Sequence, residues 1–251
     1  MIRAERHERI LSELARRGTV SAQALSAELG ASVATIRRDI SDLAGRKALI
    51  RTHGGASLPS HREELPFDAK LMTNLAEKRR IGAEAGARIE DGTFIACGGG
   101  TTVMQMLPSI RRKSLRLVTT AINVALELRE TQSVEVTLTG GTLRRRTAET
   151  VGHIAERTLR DINIDVAIIG VDGIDALRGL TTFDPNEAYV NRVMLERAHE
   201  VWILADHSKF GEVLPAVIAP AITAARVFTD TGTSDAAAAP LQDLGIEVIR
   251  V

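Results

Sequence analysis

The 251-residue chain has a single cysteine, Cys97, and no cluster of Cys and His at zinc-ligand spacing. That excludes an internal disulfide framework and a zinc module, and no metal or cofactor is expected. The lone thiol fits a reducing cytoplasm, the location expected for the protein. Aromatics are scarce as well: one Trp, one Tyr and five Phe are too few for a platform that stacks single-stranded nucleic acid. Trp202, Tyr189 and the Phe residues read as packing. No apolar run approaches the roughly 18 residues of a membrane span, so no membrane partner is expected. The opening MIRAERHERI is charged and already periodic, the pattern of a first helix and not of a leader. Net charge is absent too, since 32 Lys and Arg balance 32 Asp and Glu.

The distribution of charge is less even. Residues 1–60 hold ten Lys or Arg against six acids, a net +4, which leaves −4 on the remainder. A basic head on an acidic body points to a head that meets a polyanion. The head is periodic from the start. Ile10, Leu11, Leu14 and Ala15 form one helical stripe ending at Gly18, and Thr19-Val20 is a short extended link. Ser21 can cap a helix over 22–29 that stops at Gly30, and Ser32 can cap a third from Val33 to about Ala44. Two short helices separated by Gly30-Ala31-Ser32 have helix-turn-helix spacing.

On the third helix, Val33, Ile36, Ile40 and Leu43 share one face at about 100° per residue. Arg38 points away from it, among Ala34, Thr35, Ser41 and Asp42, with Arg37 and Asp39 on the flanks. Taken alone this is a solvated helix face. The following Lys47-Ala48-Leu49-Ile50-Arg51-Thr52-His53-Gly54-Gly55-Ala56 alternates basic and apolar residues and predicts a two-stranded wing. Helix and wing together predict a winged helix-turn-helix on double-stranded DNA, with Ser32, Ala34, Thr35, Arg37, Arg38, Ser41, Lys47, Arg51 and His53 as candidate contacts.

Residues 58–68 read as a linker between a first domain over 1–57 and a larger one over 69–251. In the larger domain, helical and extended patterns alternate. Helices are predicted over 70–89, 102–107, 121–130, 153–159, 186–198 and from about Asp235. Strands are predicted over 93–96, 115–119, 134–138, 166–170, 201–205, 227–228 and 246–251. This is the pattern of a doubly wound, largely parallel α/β sheet, whose ligands bind at the carboxyl ends of its strands. One such end carries Gly98-Gly99-Gly100-Thr101-Thr102, whose converging amides and hydroxyls suit a phosphate, although three glycines also make a tight turn. Gly141, Asp172, Asp206 and Lys209 follow other strands, with Lys209 placed to meet a phosphate or carboxylate and Asp206 to orient Lys209 or bind sugar hydroxyls. Glu187 begins a helix, where a carboxylate is also a good dipole partner. Cys97 beside the loop reads as a buried, inert strand-end thiol.

Arg6, Ile10 and Leu14, the run from Ser32 to Ile40, and His53-Gly54-Gly55-Ala56 resemble the DNA-binding signature of the DeoR family of bacterial regulators. Gly100-Thr101-Thr102, Gly140-Gly141 and Asp206-His207-Ser208-Lys209-Phe210-Gly211 resemble that family's sensor domain, so the likeness spans nearly the whole chain. It implies a fold similar to ribose-5-phosphate isomerase and CoA transferases, and a phosphorylated sugar or polyol effector, for which the strand-end residues Gly99, Gly100, Thr101, Thr102, Gly141, Asp172, Glu187, Asp206 and Lys209 are the candidate contacts. The function it implies is repression of a catabolic operon, relieved by that effector, in a homo-oligomer that pairs DNA half-sites. The chain departs from the family at Gly98, where an Asp is usual, and at Thr120, where an Asn is frequent. A sugar-phosphate isomerase or deaminase with an accessory DNA-binding head is the alternative, with Asp172, Glu187 and Lys209 as its acid–base groups. A DNA-binding architectural protein is the third.

Overall fold

The computed structural model describes residues 1–45, 48–57 and 64–251, so Lys47 and residues 58–63 of the predicted linker lie outside the described residues. The chain divides into two compact units, Met1–Leu75 and Ala76–Val251.

The first unit opens with α1 (Arg3–Arg17), whose stripe of Ile10, Leu11 and Leu14 is buried and which ends as Gly18 turns to φ +71°. The link after it is a strand, β1 (Thr19–Ser21). Helix α2 (Ala22–Leu29) starts on Ser21, whose Oγ accepts the Ala24 N–H at 3.1 Å, and stops at Gly30 in the left-handed conformation. Helix α3 (Val33–Gly45) starts on Ser32, whose Oγ accepts the Thr35 N–H at 3.1 Å. Strands β2 (Ile50–Thr52) and β3 (Gly55–Ser57) form a hairpin that turns on His53-Gly54, with Gly54 at φ +93°. Ile10, Leu14, Leu25, Ile36 and Ile40 are fully buried at the centre, each contributing about 1.5–3 kcal/mol on removal from water.

The wing has three strands where the pattern predicts two. Its order is β1-β3-β2, because the link at Thr19 pairs antiparallel with β3, Thr19 opposite Ser57 and Ser21 opposite Gly55. Gly55 is required here, since a Cβ would stand 2.1 Å from the Val20 carbonyl oxygen. The unit also runs past the predicted boundary at 58–68. Helix α4 (Phe67–Met72) belongs to it, with Ala69 buried in the core and Leu65 and Met72 packed alongside. The single helix predicted over 70–89 is therefore two, α4 and α5 (Leu75–Ala87). The break falls at extended Thr73 and at Asn74, which has φ +53°, a region that Asn tolerates better than most residues.

The second unit continues through β4 (Phe94–Cys97), α6 (Thr101–Met104), α7 (Leu107–Ile110), β5 (Leu115–Thr119), α8 (Ile122–Leu128) and β6 (Val134–Leu138). A hairpin of β7 (Thr142–Arg144) and β8 (Glu149–Val151) leads to α9 (His153–Arg160) and β9 (Ile164–Gly170). Then come β10 (Gly173–Asp175), β11 (Gly179–Thr182), α10 (Pro185–Glu196), β12 (Ala198–Leu204), a 3-10 turn at His207–Lys209, β13 (Ala216–Ala219), β14 (Arg226–Thr229), α11 (Asp235–Gln242) and β15 (Glu247–Arg250). Seven strands form one parallel sheet in the order β15-β14-β12-β9-β4-β5-β6. The hairpin β7-β8 and a small antiparallel sheet β10-β11-β13 are additions that the pattern did not predict.

The central strands show why the sheet is covered on both sides. In β9, Ala167 and Ile169 join the core with Val190 and Met194 of α10, while Val166 and Ile168 join Ile81 of α5 and Val103 of α6. Strand β12 divides the same way, Val201 and Ile203 against Trp202 and Leu204. From β4 the chain steps to β5 and β6 on one side, then returns to β9, β12, β14 and β15 on the other. The strand order thus reverses between β4 and β9, and the crevice of such a sheet opens at their carboxyl ends.

Candidate nucleic-acid interface and ligand pocket

On α3, Ala34, Arg37, Arg38 and Ser41 are exposed and Thr35 is half-buried, opposite buried Ile36, Ile40 and Leu43. Neither Arg37 nor Arg38 forms an ion pair among the described residues, so both guanidinium groups face solvent. Helix and wing meet at Ser41, which donates its hydroxyl to the Arg37 carbonyl at 2.8 Å and accepts Arg51 Nη1 at 3.5 Å. Arg51 and His53 are exposed on the wing. Ser32 and Thr35 share a hydroxyl contact of 2.8 Å at the helix start, which commits both to the cap as well as to the exposed surface.

Two neighbours on the same helix differ from the periodic reading. Val33 is half-buried, and Asp39, expected on a flank, is buried. Asp39 accepts Arg6 Nε at 2.6 Å and Arg6 Nη2 at 3.1 Å, and His7 Nε2 lies 3.1 Å from it. Burial alone would raise the Asp39 carboxyl, but the hydrogen bonds and charges of Arg6 and His7 hold it below its ordinary value. Arg6 is thus a clamp between α1 and α3. His7, Asp39 and Asp42 bring three potential metal ligands together. Arg6 and Arg3 already occupy the two carboxylates, which makes the group an ion-pair network.

In the second unit the glycine loop lies at the strand-order reversal. Gly100 packs on Gly170 at the end of β9, where a Cβ on Gly100 would meet the Gly170 Cα at 3.1 Å. Gly98, Gly99, Thr101 and Thr102 are buried, and α6 beyond them is only four residues long. The Gly99 N–H is already bonded, donating to Glu149 Oε1 at 2.7 Å, and the Thr120 hydroxyl donates to the same oxygen at 3.2 Å. Burial pushes the Glu149 carboxyl up, against hydrogen bonds from Gly99, Thr147 and Thr120 and the charge of Arg144. The two departures noted at Gly98 and Thr120 therefore meet at one carboxyl group. Cys97 is fully buried, and burial pushes its thiol up to about 12, as an inert strand-end cysteine requires.

The other candidates fall into two clusters. Thr182 Oγ1 lies 3.1 Å from Asp172 Oδ2 and 2.8 Å from Glu187 Oε1. Arg144 bridges Glu187 at 3.2 Å and Asp184 at 3.4 Å. Asp184 caps α10 by accepting the Asn186 and Glu187 N–H groups at 2.9 and 3.1 Å. Burial would raise its carboxyl, but these bonds and Arg144 hold it low. Past β12, Asp206 accepts the Ser208 N–H and hydroxyl at 3.1 and 2.5 Å. Buried Lys78 lies 4.0 Å from it, a cation the sequence reading did not place there; of the two roles expected for Asp206, an ion pair to Lys209 is not formed among the described residues. Lys209 is half-buried at the end of the 3-10 turn and forms no ion pair among the described residues. Gly141 is exposed in the turn from β6 to β7, where φ +131° and a 2.6 Å approach to the Val151 oxygen account for the glycine.

Sequence reasoning missed Lys78, Arg144, Glu149, Thr182, Asp184 and Asn191. Lys78 alone left a signal, a charge three residues before buried Ile81 on the same helix face. Tyr189, read as packing, is 43% exposed and accepts Arg160 Nη2 at 3.2 Å.

Two family models match the chain. The DeoR-like helix-turn-helix domain covers residues 6–62, and the DeoR C terminal sensor domain covers residues 73–231. The HTH-type transcriptional regulator GlpR of Haloferax volcanii is 38% identical over 213 residues, 84% of this chain and 83% of that protein. The glycerol-3-phosphate regulon repressor of Escherichia coli is 33% identical over 212 residues, 84% of each chain. Ribose 5-phosphate isomerase A of Methanocaldococcus jannaschii overlays 57% of this chain and 55% of its own, at a TM-score of 0.41 and 17% identity. With both its modules matched in order and more than half its length in the sensor domain, the chain belongs to the DeoR family and is a DNA-binding transcriptional regulator, not an enzyme.

Proposed function

We propose that this regulator represses an operon of sugar or polyol catabolism and leaves its operator when a phosphorylated product of that pathway fills the sensor pocket. The observation that carries the reading is the gathering of polar groups where the strand order reverses. Contacts link Gly99 to Glu149, and Arg144 through Glu187 and Thr182 to Asp172; the two sets meet where Arg144 stands opposite Glu149 in the β7–β8 hairpin, with Asp206 and Lys209 beyond the adjacent strand β12. Gly99, Gly100, Thr101, Thr102, Asp172, Glu187, Asp206 and Lys209 are the proposed effector contacts, with Gly141 at the rim. Two half-sites read by a homo-oligomer in the cytoplasm would supply the affinity that one small head lacks. The polyol-phosphate side of the reading is supported by one relative, which is named a repressor of a glycerol-3-phosphate regulon.

The test is fluorescence anisotropy on DNA fragments that the protein selects from its own genome, titrated with sugar and polyol phosphates and their unphosphorylated counterparts. Release by phosphorylated compounds alone is expected, and Lys209→Ala should blunt it. Binding that is sequence-independent and falls steeply with salt, with no release by any phosphate ester, would overturn the reading.

A further inference from the structure

Glu149, on β8, is 5% exposed and reaches across to a loop from a different strand. Its Oε1 accepts the Gly99 N–H and the Thr120 hydroxyl, and Thr147 donates to the same carboxyl. Glycine at 99 is what admits it, since a Cβ there would lie 2.7–2.9 Å from Cγ, Cδ and Oε1 of Glu149. A second group faces the loop. Asn191 of α10 is 4% exposed, and its Oδ1 lies 3.4 Å from where a Cβ on Gly98 would be. Among the described residues its side chain forms no hydrogen bond. A largely buried amide beside the loop, with both its donor and its acceptor uncommitted, is a group that an incoming polar ligand can meet.

We propose that Glu149 is an internal ligand of the glycine loop and sets what the pocket accepts: a phosphate reaches the Gly99 amide only by displacing this carboxyl, and Asn191 meets the incoming group. The inference rests on the reading of the pocket as a sensor of phosphorylated metabolites. Carboxyl and phosphate are both acceptors, and Gly99 has a single N–H to give, so the two occupancies exclude each other. A neutral hydroxyl-bearing group that leaves the Gly99 amide alone meets no such competition. The carboxyl thereby filters out bare anions and admits only ligands whose remaining contacts make up for its displacement.

The experiment is calorimetric titration of the full chain with inorganic phosphate, for the wild type, Glu149→Gln and Glu149→Ala, each checked for a native melt by Trp202 emission. The alanine variant should bind phosphate at least tenfold more tightly than the wild type, with glutamine between them. Adding Asn191→Ala to Glu149→Ala should remove most of the gain. Equal or weaker phosphate binding by Glu149→Ala, or no binding by any of the three, overturns the proposal. Should the alanine variant fail to fold, Glu149→Gln, which keeps the shape and an acceptor for Gly99, decides by the same comparison with wild type. Parallel titrations with ribose 5-phosphate and glycerol 3-phosphate separate the two claims. Ester binding that the variants leave unchanged keeps the sensor reading and sinks the role of Glu149, whereas no ester binding to any protein sinks both.

Discussion

Gly98→Asp places a second carboxyl beside Glu149, and the size of the effect follows from the geometry. The new Cβ would stand 3.7 Å from Glu149 Oε1 and 3.4 Å from Asn191 Oδ1, ordinary contacts that place the added carboxyl within a few ångströms of Glu149. The cost is electrostatic. Two charges about 4 Å apart repel by about 4 kcal/mol at an effective dielectric of 20. The alternative is to keep one proton, which costs about 1.4 kcal/mol for each pH unit above an ordinary carboxyl pKa, or about 4 kcal/mol at pH 7. Burial already raises Glu149, so part of that cost is present in the wild type. A loss of about 2–3 kcal/mol at pH 7 is therefore expected, or about 4–12 °C in melting temperature for a unit of this size. In the Glu149→Ala background the same substitution should cost much less, giving a coupling energy of about 2 kcal/mol.

The pH dependence has a definite sign. A carboxyl whose folded pKa lies above its unfolded value binds more protons in the folded state, so its stabilising effect is present at low pH and is lost as pH rises through the folded value. The penalty of Gly98→Asp should shrink as the pH falls from 7 toward 5. The assay is urea unfolding followed by tryptophan emission. The single Trp, Trp202, is buried in the seven-stranded sheet, so the signal reports the second unit without the first. Additive costs within about 0.5 kcal/mol, or a penalty that does not change between pH 5 and 7, would refute the reasoning.

Arg38→Ala should weaken operator binding by about 1–3 kcal/mol if the side chain reads a base edge. If it holds a phosphate, the loss should be uniform across sequences, with a shallower salt dependence; the Trp202 melt should be unchanged either way. Asp39 contributes the opposite pH signature to Gly98→Asp, because its folded carboxyl lies below the ordinary 3.8. Its stabilisation of the first unit is present above that value and lost as pH falls through the folded one, so Asp39→Asn should flatten the acid limb of hydrogen exchange in α1 and α3. Native Cys97 should resist iodoacetamide at pH 8 and react only after denaturation; rapid labelling of the folded chain would contradict its burial.

The elements legible in the sequence are those whose residues declare their own role. Ser21, Gly30 and Ser32 cap or stop helices by local backbone chemistry, and the runs around Val166 and Val201 are apolar because both faces of β9 and β12 are covered. The glycine loop is legible as a place of close backbone approach, since Gly99 and Gly100 pack against Glu149 and Gly170. What was hidden depends on distant partners. Asp39 looks like a flank residue until Arg6 and His7 arrive from α1. Glu149 looks like a hairpin acid until Gly99 and Thr120 approach it from loops that follow β4 and β5. Residues 70–89 keep a helical rhythm straight through Asn74, so periodicity could not show that the chain changes unit there.

The three-stranded wing has a consequence for control. Strand β1 belongs to the link between α1 and α2, and the Ala22 N–H at the start of α2 donates to the Gly54 oxygen in the wing turn at 2.8 Å. Among the described residues the wing is therefore tied at two places: its edge strand is the scaffold's own connector, and its tip is bonded to the helix that braces α3. Were the proposed effector to act through this head, it would move the tied strands and helices together, and the spacing between heads on the proposed paired half-sites is what it would change.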